Sequence, residues 1–314
     1  MSLVIASQLE GEFNERLRAH PSRPTVITPA EETPWEAAAE ADIMLIRPTP
    51  IWRGNRHIEP PARWPGKLQW VFSASVGIDY YPRWLFDAPT VSCGRGVASE
   101  EIAEYVLSAI LSHTKDLDSV RARSLADWKH APLGRVRGST VGIVGLGAIG
   151  SEVAKLALAF GANVTGVRRR TLGSAVPGVQ LLSLQEVVAT ADHLVIAVPS
   201  TESTRGLFDA ELLRHAKPNL HLINIARGAV IDQSALIEAL NAERIGFATL
   251  DVTDPEPLPA AHPLWTHPRV RLTPHVSSNY LAVRHVLYDK VSANFDRFLR
   301  GEPLHDVVDK AEGY

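Results

Sequence analysis

Thr140-Val141-Gly142-Ile143-Val144-Gly145-Leu146-Gly147-Ala148-Ile149-Gly150 is the stretch that decides the fold. Its first five residues have the apolar, β-branched character of a strand buried on both faces. A Gly-x-Gly-x-x-Gly turn follows at once, and Ile149, Val153, Leu156 and Phe160 then recur at helical spacing. In that order each glycine has its own task. Gly145 permits the tight turn, Gly147 lets a pyrophosphate approach the backbone, and Gly150 lets the helix pack closely on the strand. The helix start at Ala148 and Ile149 turns its N–H groups toward the phosphates. The unit predicts a dinucleotide-binding α/β domain.

Downstream, a second strand over 163–167 is followed by Arg168-Arg169-Arg170. An NAD-selective domain usually carries Asp or Glu there, to accept hydrogen bonds from the ribose hydroxyls. An arginine fork instead suits a 2′-phosphate, so NADP is favoured over NAD. A solvated basic turn would carry the same residues, but its position favours phosphate recognition.

Outward from this core, short apolar runs at 193–198, 220–225, 247–251 and 270–273 continue the strand rhythm. Upstream, runs at 3–6, 25–28, 43–46, 68–73 and 90–93 alternate with segments of helical composition at 13–19 and 35–41. Ser99 reads as an N-cap for a long helix, with Glu100 and Glu101 in its first turn and apolar positions from Ile102 to Leu117. A last helix over 281–299 reads as returning to the first domain. The expected fold is α/β, with two Rossmann-like parallel-sheet domains and an intervening cleft. A flavodoxin-like substrate domain takes 1–98 plus 282–314, and a dinucleotide-binding domain takes 99–281.

Composition narrows the function classes. Among 314 residues, 32 basic and 35 acidic side chains leave a net charge of −3, which offers no electrostatic footprint for nucleic acid. Hydrophobic content of 45% excludes a disordered chain, and no apolar run approaches a membrane span. The start, Met1-Ser2-Leu3-Val4-Ile5-Ala6, lacks a basic leader and reads as a strand. Cys93 is alone and can form no internal disulfide, so a cytoplasmic location is expected. No spacing of ligands suggests a metal.

The glycine motif, Ile223-Asn224-Ile225-Ala226-Arg227-Gly228-Ala229-Val230-Ile231-Asp232, Leu250-Asp251-Val252-Thr253-Asp254-Pro255-Glu256-Pro257 and Leu272-Thr273-Pro274-His275 stand in one order. In this the chain resembles the D-isomer-specific 2-hydroxyacid dehydrogenases, of the glyoxylate/hydroxypyruvate reductase kind. The resemblance implies Arg227, Glu256 and His275 as the catalytic set, acting on a small 2-oxo or 2-hydroxy acid. Their chemistry suits the reaction: a cation holds the carboxylate and polarises the carbonyl, an acid protonates the developing alkoxide, and Glu256 steadies the protonated imidazole.

By the same resemblance, Asp251 contacts the nicotinamide end, and Pro199 and Ala226 are backbone neighbours of the cofactor. Ser75, Val76 and Gly77 form a loop whose amides hold the substrate carboxylate. Arg47 and Trp52 shape the pocket, although a surface arginine and a packing tryptophan would read alike. A homodimer through the cofactor domains is also implied, with the 121–137 region, including Trp128, near the partner. A cofactor-sensing, corepressor-like binding protein on the same fold is the alternative from another class.

Overall fold

Apolar strands buried on both faces need helices on both sides of their sheet. The computed structural model, which describes residues 2–168 and 176–310, has that arrangement twice. The first unit, Met1–Val97 and Tyr280–Tyr314, holds β1 (Val4–Ser7), β2 (Thr25–Ile27), β3 (Ile43–Ile46), β4 (Trp70–Ser73) and β5 (Thr90–Cys93). All pairings are parallel, in the order β2-β1-β3-β4-β5, the flavodoxin-like arrangement.

Alternation along the strands divides their side chains between two cores. Met44, Ile46 and Val71 join Trp52, Tyr81 and Leu85 on one face, and Ile43, Leu45, Trp70 and Phe72 join Phe13 and Leu17 on the other. Phe13 and Leu17 come from α1 (Gly11–Arg18), and Trp52 from α2 (Pro50–Gly54). The segment expected to be helical at 35–41 is a tighter 3₁₀ helix over Pro34–Ala39.

The second unit, Ala98–Asn279, opens with α3 (Ser99–Lys115). Here the expected cap is displaced by one residue. Ala98 occupies the cap position with no side-chain bond, while Ser99 is already helical, 5% exposed, and its hydroxyl has no partner. The strands are β6 (Thr140–Val144), β7 (Asn163–Val167), β8 (Val179–Leu181), β9 (His193–Ile196), β10 (His221–Asn224), β11 (Phe247–Leu250) and β12 (Val270–Leu272). They lie parallel in the order β12-β11-β10-β9-β6-β7-β8.

Val141, Ile143, Val195 and Ile223 face α3 and α4 (Ala148–Ala159). Leu194, Ile196, Leu222 and Leu250 face α5 (Leu184–Thr190), α6 (Ala210–Leu213) and α7 (Gln233–Asn241). From β6 the chain winds outward to β7 and β8, then returns to β9 on the other side of β6. The carboxyl ends of β6 and β9 are therefore the switch point where such sheets bind ligands.

α8 (Tyr280–Leu299) puts Leu287, Val291 and Phe295 into the core of the first unit, beside Ile5, Trp70 and Phe72. Full burial of each stabilises by about 1.5–3 kcal/mol, which explains why the C-terminal helix belongs with the N-terminal strands. The chain passes between units at Val97/Ala98 and Asn279/Tyr280, one and two residues before the expected boundaries. No helix among the described residues is long and apolar enough to cross a membrane.

Candidate active site

Gly145 leaves β6 with φ +107, a conformation that L side chains rarely adopt, and a Cβ there would lie 2.5 Å from the Ala197 carbonyl oxygen. A Cβ on Gly150 would fall 2.0 Å from the Gly145 carbonyl oxygen. Strand, turn and helix are thus packed to a separation that only hydrogen allows. Gly147 is the reverse case: it is exposed, and a Cβ there would meet nothing within 4 Å. It caps α4, so this open space lies beside exposed Ala148 and half-buried Ile149, where first-turn N–H groups have no partner inside the helix. Open space at the positive end of a helix fits a diphosphate, and the residues present fit a dinucleotide.

Arg168 is exposed at the end of β7, on the same edge of the sheet; Arg169 and Arg170 lie outside the described residues. Pro199 is exposed beyond β9, and its carbonyl accepts the Thr204 hydroxyl at 2.7 Å.

β10, β11 and β12 are neighbours, so Arg227, Asp251 and His275, which follow them, are delivered to that edge as well. The turn carrying Arg227 is braced by buried Asn224. Its Nδ2 donates to the Arg227 carbonyl at 3.0 Å, and its Oδ1 accepts the Ala226 N–H at 3.0 Å. A Cβ on Gly228 would lie 2.0 Å from the carbonyl carbon of Thr253, so the turn is pressed against the backbone that leaves β11. Arg227 donates through one terminal nitrogen to the Ala226 carbonyl at 2.8 Å, and its side chain is partly exposed.

His275 Nδ1 lies 2.8 Å from Glu256 Oε1, with about 29% and 27% of the two side chains exposed. The carboxylate accepts from Nδ1–H, which leaves Nε2 as the nitrogen able to give a proton to a substrate.

Asp251 is 1% exposed. Its Oδ1 accepts from the Thr273 hydroxyl at 2.6 Å and the Val276 N–H at 2.8 Å, and its Oδ2 from the Ser277 N–H at 2.9 Å. These three bonds fasten the segment that carries His275.

In the first unit, the Ser75 hydroxyl donates to the Gly77 carbonyl at 2.7 Å, and the Ser75 N–H donates to Ser73 Oγ at 3.3 Å. This curls the loop after β4 and leaves Val76 exposed at 38%. Arg47 stands 5.9 Å from the centre of the Tyr280 ring. Trp52 corrects the expectation made for it. It is fully buried, donates from Nε1 to Gln8 Oε1 at 2.8 Å, and packs edge-on against Trp35 and Tyr81, so it is a core residue of this unit.

The family model for the D-isomer specific 2-hydroxyacid dehydrogenase, NAD binding domain, matches residues 107–277. A glyoxylate/hydroxypyruvate reductase A from Serratia proteamaculans (strain 568) is 32% identical, over 79% of this chain and 82% of that protein. The chain belongs to the D-isomer-specific 2-hydroxyacid dehydrogenase family. Among solved structures of this family, the enzyme from Xanthobacter autotrophicus Py2, in complex with NADPH and MES, is similar with a TM-score of 0.81 at 29% identity, covering 100% of this chain and 99% of that one. An NADPH-dependent glyoxylate/hydroxypyruvate reductase from Sinorhizobium meliloti, in complex with NADP and sulfate, gives 0.80 at 25% identity, with both chains covered in full. These relatives are reductases and dehydrogenases, so the corepressor-like alternative draws no support from them.

Sequence reasoning about this dehydrogenase did not single out the residues that hold Arg227 and His275 in place. Asn224 and Thr273 lay inside quoted motifs without a role of their own. For Asn224 the signal is that it is polar at the end of a strand buried throughout, where a polar side chain needs a local partner; Thr273, just beyond the half-buried edge strand β12, carries no such signal.

Proposed function

We propose that this dehydrogenase reduces a small 2-oxo acid to the corresponding D-2-hydroxy acid, with NADPH favoured over NADH. The observation that carries this reading is the His275–Glu256 pair standing with Arg227 beyond adjacent strands of the sheet whose glycine turn fits a dinucleotide. Gly145, Gly147, Ala148, Ile149 and Gly150 would hold the diphosphate, and Arg168 the 2′-phosphate. Reduced nicotinamide, when bound, supplies the hydride.

The chain's own residues do the rest. Arg227 holds the substrate carboxylate and draws charge toward the carbonyl oxygen. As the carbonyl carbon is reduced, its oxygen becomes an alkoxide and takes the proton from His275 Nε2. Glu256 keeps the ring oriented and balances its charge. In the first unit, Arg47 and the backbone of Ser75, Val76 and Gly77 are the residues we assign to substrate binding.

Glyoxylate and hydroxypyruvate are the first substrates to test, because the similar reductases carry those names. A panel of 2-oxo acids of increasing length, assayed with NADPH and with NADH, checks the reading. Turnover of none of them would overturn it.

We assign the enzyme to the cytoplasm and to a homodimer formed through the cofactor-binding units. Leu125 and Trp128 are 92% and 81% exposed, with Leu117 and Leu133 exposed nearby, and apolar side chains so open in one chain support burial against a second copy. Sedimentation should find a dimer, and a monomer at micromolar concentration would contradict the assignment.

A further inference from the structure

We propose that one face of α3 is the backing of the catalytic histidine: Tyr105, acting through Thr273 and Asp251, and Glu101, acting on Asn279, are positioning residues for His275. The inference rests on the reading of His275 as the proton donor.

His275 has φ +55, in the left-handed region. A non-glycine residue stays there only when its surroundings hold it. Three successive amides are held by one residue: His275 N–H donates to the Asp251 carbonyl at 2.9 Å, Val276 N–H to Asp251 Oδ1 at 2.8 Å, and Ser277 N–H to Oδ2 at 2.9 Å. Asp251 thus sets the backbone on which the imidazole stands.

Asp251 is held in turn. The Thr273 hydroxyl lies 2.6 Å from Asp251 Oδ1 and 2.6 Å from the Tyr105 hydroxyl. A threonine hydroxyl has one proton, and the carboxylate can only accept, so Tyr105 must donate to Thr273 and Thr273 to Asp251. Direction along the chain is therefore fixed from helix to carboxylate. Burial, the largest cause, raises the pKa of the Tyr105 phenol, which keeps the first donor protonated.

Glu101 stands one helical turn before Tyr105, on the same face of α3. Its Oε2 accepts the Asn279 N–H at 2.7 Å. The 273–279 segment is thus fastened near both ends to one helix face, with His275 between the two points. Neither helix residue need touch substrate; each fixes the direction from which the proton arrives. Orientation of this kind acts on turnover more than on binding.

The test combines turnover with hydrogen exchange. Tyr105→Phe keeps the ring and removes one O–H. It should lower kcat roughly tenfold, with the KM for NADPH and for the 2-oxo acid within about twofold of the parent. Thr273→Val should do the same and Thr273→Ser should restore most of the loss, which separates the hydroxyl's role from the folding of the strand end. In a His275→Ala background, Tyr105→Phe should cost nothing further, since its route runs through the missing ring. Independently of activity, exchange at the Val276 and Ser277 amides should speed up in Tyr105→Phe while the central strands stay protected.

Unchanged exchange, a kcat within twofold of the parent, or an equal loss in the His275→Ala background would each overturn the inference. An unmodified enzyme that turns over no 2-oxo acid would instead defeat the functional reading, with the exchange result still deciding whether Tyr105 fastens the segment.

Discussion

The two ends of the seven-stranded sheet both carry histidines, and they put them to opposite use. At the carboxyl ends of the strands, His275 is partly open and has a carboxylate 2.8 Å away. At the amino ends, His193 and His221 open β9 and β10 as register partners, with their Nδ1 atoms 3.3 Å apart. The His113 ring lies 4.3 Å from that of His221, and the Thr249 hydroxyl lies 2.8 Å from His221 Nε2. No carboxylate bonds to these three rings among the described residues; Arg271 and Phe247 lie close instead. Burial is the largest cause lowering the pKa of all three, His193 to about 4 and His221 well below its usual value; Arg271 adds to it at His113 and His221, while Asp192 and Asp116 oppose it at His193 and His113. An imidazole beside a carboxylate at an open strand end can carry a proton through a reaction. Imidazoles buried together are held neutral and serve as packing.

The largest test of that contrast is to remove one histidine from each end. His275→Ala should lower kcat by roughly 10²–10⁴-fold while the NADPH dissociation constant stays near that of the parent, because a proton donor is lost and the nucleotide turn is not. His193→Gln should leave kcat per folded enzyme within a few-fold and act on stability instead. Steady-state kinetics of both variants decide the matter, and a His193→Gln loss as large as that of His275→Ala would erase the distinction. Arg227→Ala belongs with the first variant: it should both raise the substrate KM and lower kcat, since its charge serves substrate and transition state together.

The next test uses pH. Unfolded histidine titrates near 6.5, whereas folded His193 stays neutral down to about 4. Between those values the unfolded chain binds a proton that the folded chain refuses, so stability falls as pH is lowered from about 7 toward 4. For His193 alone the loss across the whole window is on the order of 3 kcal/mol, and His113 and His221 act in the same direction. Urea midpoints measured from pH 7.5 to 5 should decline, and His193→Gln should flatten part of the decline. A flat profile in the parent would mean that the cluster does not refuse protons as its burial implies.

The contrast between the two ends was only half legible in the amino-acid order. The carboxyl edge announces itself because a turn that binds phosphate needs glycines at fixed spacing, and because Arg227, Glu256 and His275 stand inside ordered motifs. The amino edge has no such grammar. His113 falls within the helical stripe from Ile102 to Leu117, His193 opens the run at 193–198, and His221 is the second residue of the run at 220–225; register alone makes His193 and His221 neighbours.

The same limit hid Tyr105, whose spacing marks it as core while its hydroxyl reaches a residue 168 positions away. Glu101 read as an acid suited to a helix dipole, and its partner in the fold is a backbone N–H at the other end of the unit. β8 escaped notice because an edge strand of three residues, with Gln180 and Leu181 exposed, needs no apolar run. Strand centres could be read because both their faces are buried. Contacts distant in sequence, which fix side-chain direction, could not.

The smallest expected effect concerns cofactor choice, at the edge that holds the site. Arg168 is exposed where β7 ends, at the position where an acid would select NAD. A guanidinium there can form charge-assisted hydrogen bonds to a 2′-phosphate that NADH lacks. Such bonds contribute about 1.5–3 kcal/mol, and exposure to solvent places this one at the low end, so a preference for NADPH of roughly tenfold follows from this side chain. Arg168→Ser should remove most of that factor by raising the KM for NADPH while leaving the KM for NADH nearly unchanged. Arg168→Lys should keep a share of it, because a point charge attracts the phosphate without the paired geometry of the fork. Raising the salt concentration should narrow the gap in the parent and in the lysine variant but not in the serine variant, since an exposed charge pair is screened and a missing one is not. Equal KM values for both cofactors in the parent, or undiminished selectivity in Arg168→Ser, would take the 2′-phosphate away from this residue.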